Sequence, residues 1–135
     1  MAMRRGQILV WFALLLPILV LLLVGAADYA ISARRVLDTA MAADLAAHAA
    51  AQAVVVRFDG QVAPAPEAPL IAERVFWANA PAGAWLESVR CDMATGRPRC
   101  VVRAGIRTAG WLGIQERAEV TGVGYLAVGA TRGDQ

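Results

Sequence analysis

GQILVWFALLLPILVLLLVGAAD, residues 6–28, contains an uncharged apolar run from residue 8 to residue 27. A helix of this length, at about 1.5 Å per residue, crosses the ~30 Å hydrocarbon core of a bilayer. The run therefore predicts a transmembrane helix over residues 8–27. Pro17 lies inside it and predicts a kink at residues 13–17, because a proline ring removes one backbone hydrogen bond.

The charges that flank this run predict its orientation. Arg4 and Arg5 precede it, and cationic residues next to a span stay in the cytoplasm. Residues 1–7 are then a cytoplasmic leader, and the rest of the chain lies in the periplasm or outside the cell. A secretory signal peptide is the competing interpretation, because Val24-Gly25-Ala26 resembles a small-residue cleavage site.

Composition limits the class of protein. The chain has 135 residues, of which 59% are hydrophobic, and its formal net charge is +2. This length allows one modest domain besides the span. The net charge is too small to indicate a nucleic-acid partner.

Residues 28–57 predict an alanine-rich helix that projects from the membrane and ends near Gln52. The sequence from 28 to 52 contains neither glycine nor proline, and alanine has the highest helix propensity. Small residues such as Ala40, Ala43 and Ala47 allow another helix to approach closely. We expect lateral packing against partner subunits here, so that leucine at 43 and 47 would impair assembly without unfolding the outer domain. The alternative is packing on the chain's own domain.

The remainder predicts a small outer domain. Residues 58–69 are rich in proline and read as an extended linker. Residues 70–135 then contain a short helix at 70–80 and three alternating strands near 85–93, 100–108 and 116–128. The predicted fold is α+β: a long N-terminal transmembrane helix that continues outside the membrane, then a short helix and an antiparallel three-stranded sheet.

Cys91 and Cys100 flank the turn of the first predicted hairpin. Each shares a strand face with apolar residues, so a cross-strand disulfide is geometrically sensible, and an oxidising compartment favours it. It would contribute about 2.5 kcal/mol by loop closure. Free thiols are the alternative. The spacing argues against a metal site, because the single histidine, His48, is distant in sequence.

The residues that could carry chemistry are few. His48 has no nucleophile at a suggestive spacing, and neither a phosphate-binding loop nor a dinucleotide fingerprint is present. The sequence therefore predicts no enzyme, no cofactor and no metal. The arginines at 97, 99, 103 and 107 fall on one strand face. Such a face is usually solvated, but it could also contact anionic lipid headgroups or a partner.

The N-terminal third, RRGQILVWFALLLPILVLLLVGAADYAISARRVLDTAMAADLAAHAAAQ, resembles the TadE/TadG-like proteins of the Tad (Flp) pilus assembly system. The resemblance covers about 50 of 135 residues. It rests on the order of its elements: Gly6-Gln7, Phe12-Ala13-Leu14, Pro17, Asp28, Arg34-Arg35, Leu37 and the alanine-rich run. The short ending is similar to the small TadE-type proteins.

This resemblance implies a minor pilin or a membrane-anchored pseudopilin, held in the bacterial inner membrane by one span. Its expected partners are other pilin or pseudopilin subunits, the pilus assembly platform and the lipid membrane. In the family a prepilin peptidase cuts after a glycine, which corresponds here to Gly6, leaving Gln7 first. A glutamate usually follows the cut at the position that Trp11 occupies here, so a processed subunit and an uncleaved anchor are both open.

Helix packing would then involve Trp11 and Pro17 in the span and Ala40, Ala43 and Ala47 beyond it.

A hypothesis of another class is a secreted or membrane-tethered module that binds a ligand and has no role in pili. Cleavage near Ala26, with release from the membrane, would distinguish it.

Overall fold

The computed structural model of the chain describes residues 3–110 and 115–127. The elements run in the order α1 (Met3–Gln52), β1 (Val54–Val56), β2 (Val62–Pro64), α2 (Ala68–Asn79), β3 (Ala84–Ala94), β4 (Arg97–Ala109) and β5 (Gln115–Tyr125). This arrangement confirms the predicted α+β layout, with a long N-terminal helix, a short helix and a three-stranded antiparallel sheet.

Helix α1 contains 50 residues and continues through Pro17. At about 1.5 Å per residue it is about 75 Å long. Its part from Ile8 to Gln52 is long and apolar enough to cross a membrane. The helix ends at Gln52 as expected, but the predicted segment 28–57 does not stay helical to its end. Val54–Val56 forms β1 instead, because consecutive β-branched side chains favour extended backbone.

The predicted linker at 58–69 is wrong for its second half, because this part of the chain is folded onto the domain. Val54–Val56 pairs antiparallel with Val62–Pro64, and the turn between them contains Gly60 at φ +79°. Ala63 and Ala65 are buried, and the Ala65 amide donates to the Ala53 carbonyl. Proline is tolerated in this two-stranded ribbon because each strand has a free edge.

The main sheet has the order β3-β4-β5. Thr95 and Gly96 join the first two strands with φ of 50° and 76°, the tight turn that suits the twist of a hairpin. A bulge between Leu86 and Ser88 leaves Glu87 without a partner in the register. The simple alternation predicted along β3 is therefore interrupted at this point. The last predicted strand was placed at 116–128, and Val128 lies outside the described residues.

The core lies between one face of this sheet and the two helices. Strand β4 buries alternate residues on that face, including Val102 and Ile106, and α2 buries Ala72 and Phe76. The second half of α1 contributes alanines to the same core. The helix that continues the apolar run is thus also the central support of the outer domain.

Candidate functional site

The first half of α1 presents apolar side chains on every side. From Ile8 to Leu23 its large apolar residues are exposed, Leu9 by 74% and Trp11 by 62%. Side chains this apolar over four to five turns need a nonpolar environment, either lipid or the helices of partner chains. Gly6 and Gln7 belong to the first turns of α1, and the exposed Pro17 lies within it.

The second half of α1 packs against the chain's own sheet. Ala43 and Ala47 are fully buried. A Cβ added to Gly122 would overlap the backbone of Ala43, and one added to Gly124 would overlap the backbone of Ala47. The helix and strand β5 are therefore in backbone-to-backbone contact, which only alanine and glycine allow.

This contact corrects two expectations. Ala43 and Ala47 do not form a free surface for lateral packing, because the chain's own sheet covers them. Leucine at these positions would not leave the outer domain intact, because the contact has no space for larger side chains. Ala40 is half-buried at the edge of the same face. Small residues identify a close contact but do not identify its partner.

The opposite face of this half of α1 carries a row of large apolar side chains, here called the apolar stripe. It consists of Leu37, Met41 and Leu45, which are 63%, 69% and 52% exposed. They recur every fourth residue and so lie on one side of the helix. Beside them runs a groove of about 600 Å³ that His48, Asn79 and Pro81 help to line. The stripe could be recognised in the sequence as large apolar residues among alanines. The sequence analysis assigned lateral packing to the alanines instead.

His48 is exposed, and its Nδ1 lies 2.9 Å from the carbonyl oxygen of Asp44. It lies on the solvent side of α1, one turn beyond that aspartate. Among the described residues that line the groove beside it, none has a hydroxyl or thiol side chain. Among the described residues, no group of three or more His, Cys, Asp and Glu could hold a metal ion.

Cys91 and Cys100 form the predicted disulfide, with their Cα atoms 4.1 Å apart. They are direct partners in the register of β3 and β4. Cys100 is fully buried and belongs to the core. The bond therefore fastens the hairpin at the end remote from the apolar half of α1, next to the ribbon of β1 and β2.

The outer face of the sheet carries the predicted basic strand face, but its arginines differ in their environment. Arg99 donates two hydrogen bonds to Asp92, at 2.9 and 2.6 Å. These hydrogen bonds lower the pKa of the Asp92 carboxyl and raise the pKa of Arg99. The charge of Arg99 is thus neutralised locally by Asp92. The other three arginines of this face, Arg97, Arg103 and Arg107, are exposed.

Comparisons of the chain with protein-family models, with curated proteins and with solved structures gave no match. Function is therefore inferred from the surfaces described above. These surfaces are the apolar half of α1, the apolar stripe and the basic outer face of the sheet.

Proposed function

We propose that this chain is a non-enzymatic structural or assembly protein of a Tad-type, type IV-like pilus, either a minor pilin or a membrane-anchored pseudopilin. One observation carries the proposal. A single 50-residue helix combines an apolar half, exposed on all sides, with a half that is built into the core of a small domain. Such a helix holds a domain at a fixed height above a membrane, which is useful for assembly into a larger array.

In this proposal residues 8–27 anchor the chain in the bacterial inner membrane with a single pass. The small domain then lies in the periplasm or on the outside. Arg4 and Arg5 at the start support this direction, because cationic flanks stay in the cytoplasm. The proposed partners are the lipid bilayer, other pilin or pseudopilin subunits and the assembly platform.

Lateral packing is assigned to two surfaces. The first is the apolar half of α1, including Trp11 and Pro17, which would meet other helices within the membrane. The second is the apolar stripe, whose exposed leucine and methionine side chains can enter grooves between neighbouring helices. Ala43 and Ala47 have an internal role in this proposal, since they seat α1 on its own sheet.

Processing by a prepilin peptidase between Gly6 and Gln7 is compatible with the proposal. Trp11 occupies the position at which the resembled family usually has a glutamate. An indole cannot pair electrostatically with the terminal amine of a neighbouring subunit, whereas a carboxylate can. A subunit that caps a filament, or an uncleaved anchor, does not need that pairing.

The test replaces the apolar stripe in the source bacterium. The L37Q/M41Q variant keeps two good helix formers at exposed positions, so the outer domain should fold. We expect surface filaments, counted by electron microscopy, to fall by about tenfold, since partner contact is lost at two large apolar side chains. The amount of chain in the membrane fraction should be unchanged.

V56Q/L70Q is the matched control, because Val56 and Leu70 are similarly exposed but lie outside α1. It should assemble filaments normally. Normal filament numbers in L37Q/M41Q would contradict the role of the stripe. Release of a soluble chain cut near Ala26 would instead favour the ligand-binding module.

A further inference from the structure

The sheet stands alongside α1, and one of its ends lies where the apolar run finishes. At that end a Cβ added to Gly110 would overlap the carboxylate of Asp28, and Thr108 and Glu116 line a small cavity together with Gly25. At the far end the side chain of Gln52 reaches the carbonyl of Tyr125. Strands β4 and β5 therefore lie alongside α1, from the level of residues 25–28 to that of Gln52.

A cluster of one tryptophan and two arginines lies near this end, on the face of the sheet that points away from α1. It is called the Trp85 cluster. The Trp85 ring lies over Gly105, where a Cβ would overlap it. The guanidinium carbons of Arg107 and Arg117 lie 5.8 and 4.8 Å from the ring centroid. Both cations thus share one aromatic ring.

The height of the two arginines above the apolar run follows from the strand register. Arg107 pairs directly with Arg117, two residues from the terminal pair of Ala109 and Gln115. At about 3.4 Å per residue this is about 7 Å along the strand. The headgroup layer of a bilayer extends about 5–8 Å beyond its hydrocarbon core. An arginine side chain at this height can reach phosphate groups.

The charges of the cluster are not balanced within the domain. Like charges directly opposite one another in a sheet are unfavourable. Arg117 has a 3.4 Å ion pair with the exposed Glu119, but within residues 3–110 and 115–127 Arg107 forms no ion pair. Arg103 is exposed on the same face four residues away, in the middle of β4. Arg107 and Arg117 thus place two like charges side by side near the end next to the apolar run, whereas Arg99 near the other end is paired with Asp92.

We propose that the Trp85 cluster binds the headgroups of anionic phospholipids in the leaflet from which α1 emerges. This inference rests on the membrane anchoring in the proposed function. Arginine binds phosphate through two parallel N–H donors. The Trp85 ring lies opposite Gly105, about 14 Å from the terminal pair, and contacts both guanidinium groups from the side away from the apolar run. An acidic protein surface could also use the arginines, but it would not account for their position beside the end of the apolar run.

The experiment uses the full chain in vesicles and reports how well water reaches the outer face of the sheet. A nitroxide is attached to Q115C, since Gln115 is exposed and lies two residues from Arg117 on the same face of the sheet. Cys91 and Cys100 are bonded and do not react with the label. Collision of the nitroxide with a water-soluble nickel chelate is measured by electron paramagnetic resonance. Vesicles of phosphatidylcholine alone are compared with vesicles containing about 30% phosphatidylglycerol, whose anionic surface attracts arginine.

We expect the collision rate to be lower by at least about twofold in the anionic vesicles than in those of phosphatidylcholine alone. This difference should disappear near 0.5 M salt, because the Debye length is then only about 4 Å. The R107Q/R117Q variant should show no difference between the two vesicle types. The matched control is R57Q/R97Q. It removes the same charge from exposed residues near the far end of the sheet and should behave like the unmodified chain. The salt series on the unmodified chain does not depend on whether a variant folds.

Equal collision rates in both vesicle types would overturn the inference, as would an equal loss in the two double variants. If the collision rate stays high in anionic vesicles, the outer face is exposed to water there, and an acidic protein surface becomes the better candidate for binding the arginines. Extraction with alkaline carbonate separates this failure from a failure of the proposed function. A chain that stays in the vesicles with an exposed nitroxide disproves only lipid binding, whereas a chain washed out of them disproves the anchoring and the inference together.

Discussion

Gly122 and Gly124 determine how closely strand β5 approaches α1. Glycine inside a strand ordinarily weakens it, because glycine has no side chain to pack. In the structure their missing side chains are what allow contact, since any Cβ would overlap the backbone of Ala43 or Ala47. The two glycines and the two alanines therefore form one close helix–strand contact, and the role of each pair depends on the other.

Replacing Gly122 with alanine should destabilise the outer domain. The added methyl group must push β5 away from α1, and overpacking of this kind costs about 1–3 kcal/mol. Thermal unfolding of the chain in detergent micelles, followed by circular dichroism, measures the effect. The matched control is G25A, because a Cβ at Gly25 has nothing within 4 Å. Equal unfolding temperatures for G122A and the unmodified chain would show that the contact is looser than described.

At the scale of elements, the large features were predictable and the short ones were not. The long helix and the strands β3, β4 and β5 follow from uninterrupted helical composition and from alternation. The three-residue strands β1 and β2 were missed, because their pairing depends on packing against the domain and their sequence includes proline. The bulge at Glu87 was missed for the same reason: it depends on the facing strand.

The candidate surfaces show the same limit. The disulfide could be predicted because both cysteines sit at matched positions beside a short turn. The direction of the alanine face could not, because a row of small residues fits a neighbouring chain as well as the chain's own sheet. Of the Trp85 cluster, the sequence analysis identified only Arg107, as part of the basic strand face. Trp85 and Arg117 come close to Arg107 only because their strands pair with β4.

The hairpin of β3 and β4 should lose a large part of its stability without its disulfide. The bonded residues are separated by nine positions, and closing such a loop contributes about 2.5 kcal/mol in the chain-entropy estimate. We expect C91A/C100A to unfold at lower denaturant concentration, as measured by circular dichroism in micelles. Reduction of the unmodified chain is the control and should give a similar loss. Unchanged stability in both would mean that the core alone holds the hairpin.

At the scale of the whole molecule, one continuous helix links a surface that needs a nonpolar environment to a domain with its own core. Because α1 contributes to both parts, their separation is fixed by its length rather than by a flexible linker. The end of the sheet is thereby held beside residues 25–28. In the proposed function, a subunit built this way would present its apolar stripe and its basic outer face at constant heights above the membrane.

The intact mass of the chain, extracted from native membranes without reduction, is the first measurement to make. We expect a chain that retains residues 8–27, either keeping Arg4 and Arg5 as an uncleaved anchor or beginning at Gln7 as a processed subunit. Its mass should be lower than that of the reduced chain by the two thiol hydrogens lost in the Cys91–Cys100 bond. A chain that begins at Ala27 would have lost the apolar half of α1, and that result would contradict membrane anchoring and the pilus-assembly role proposed from it.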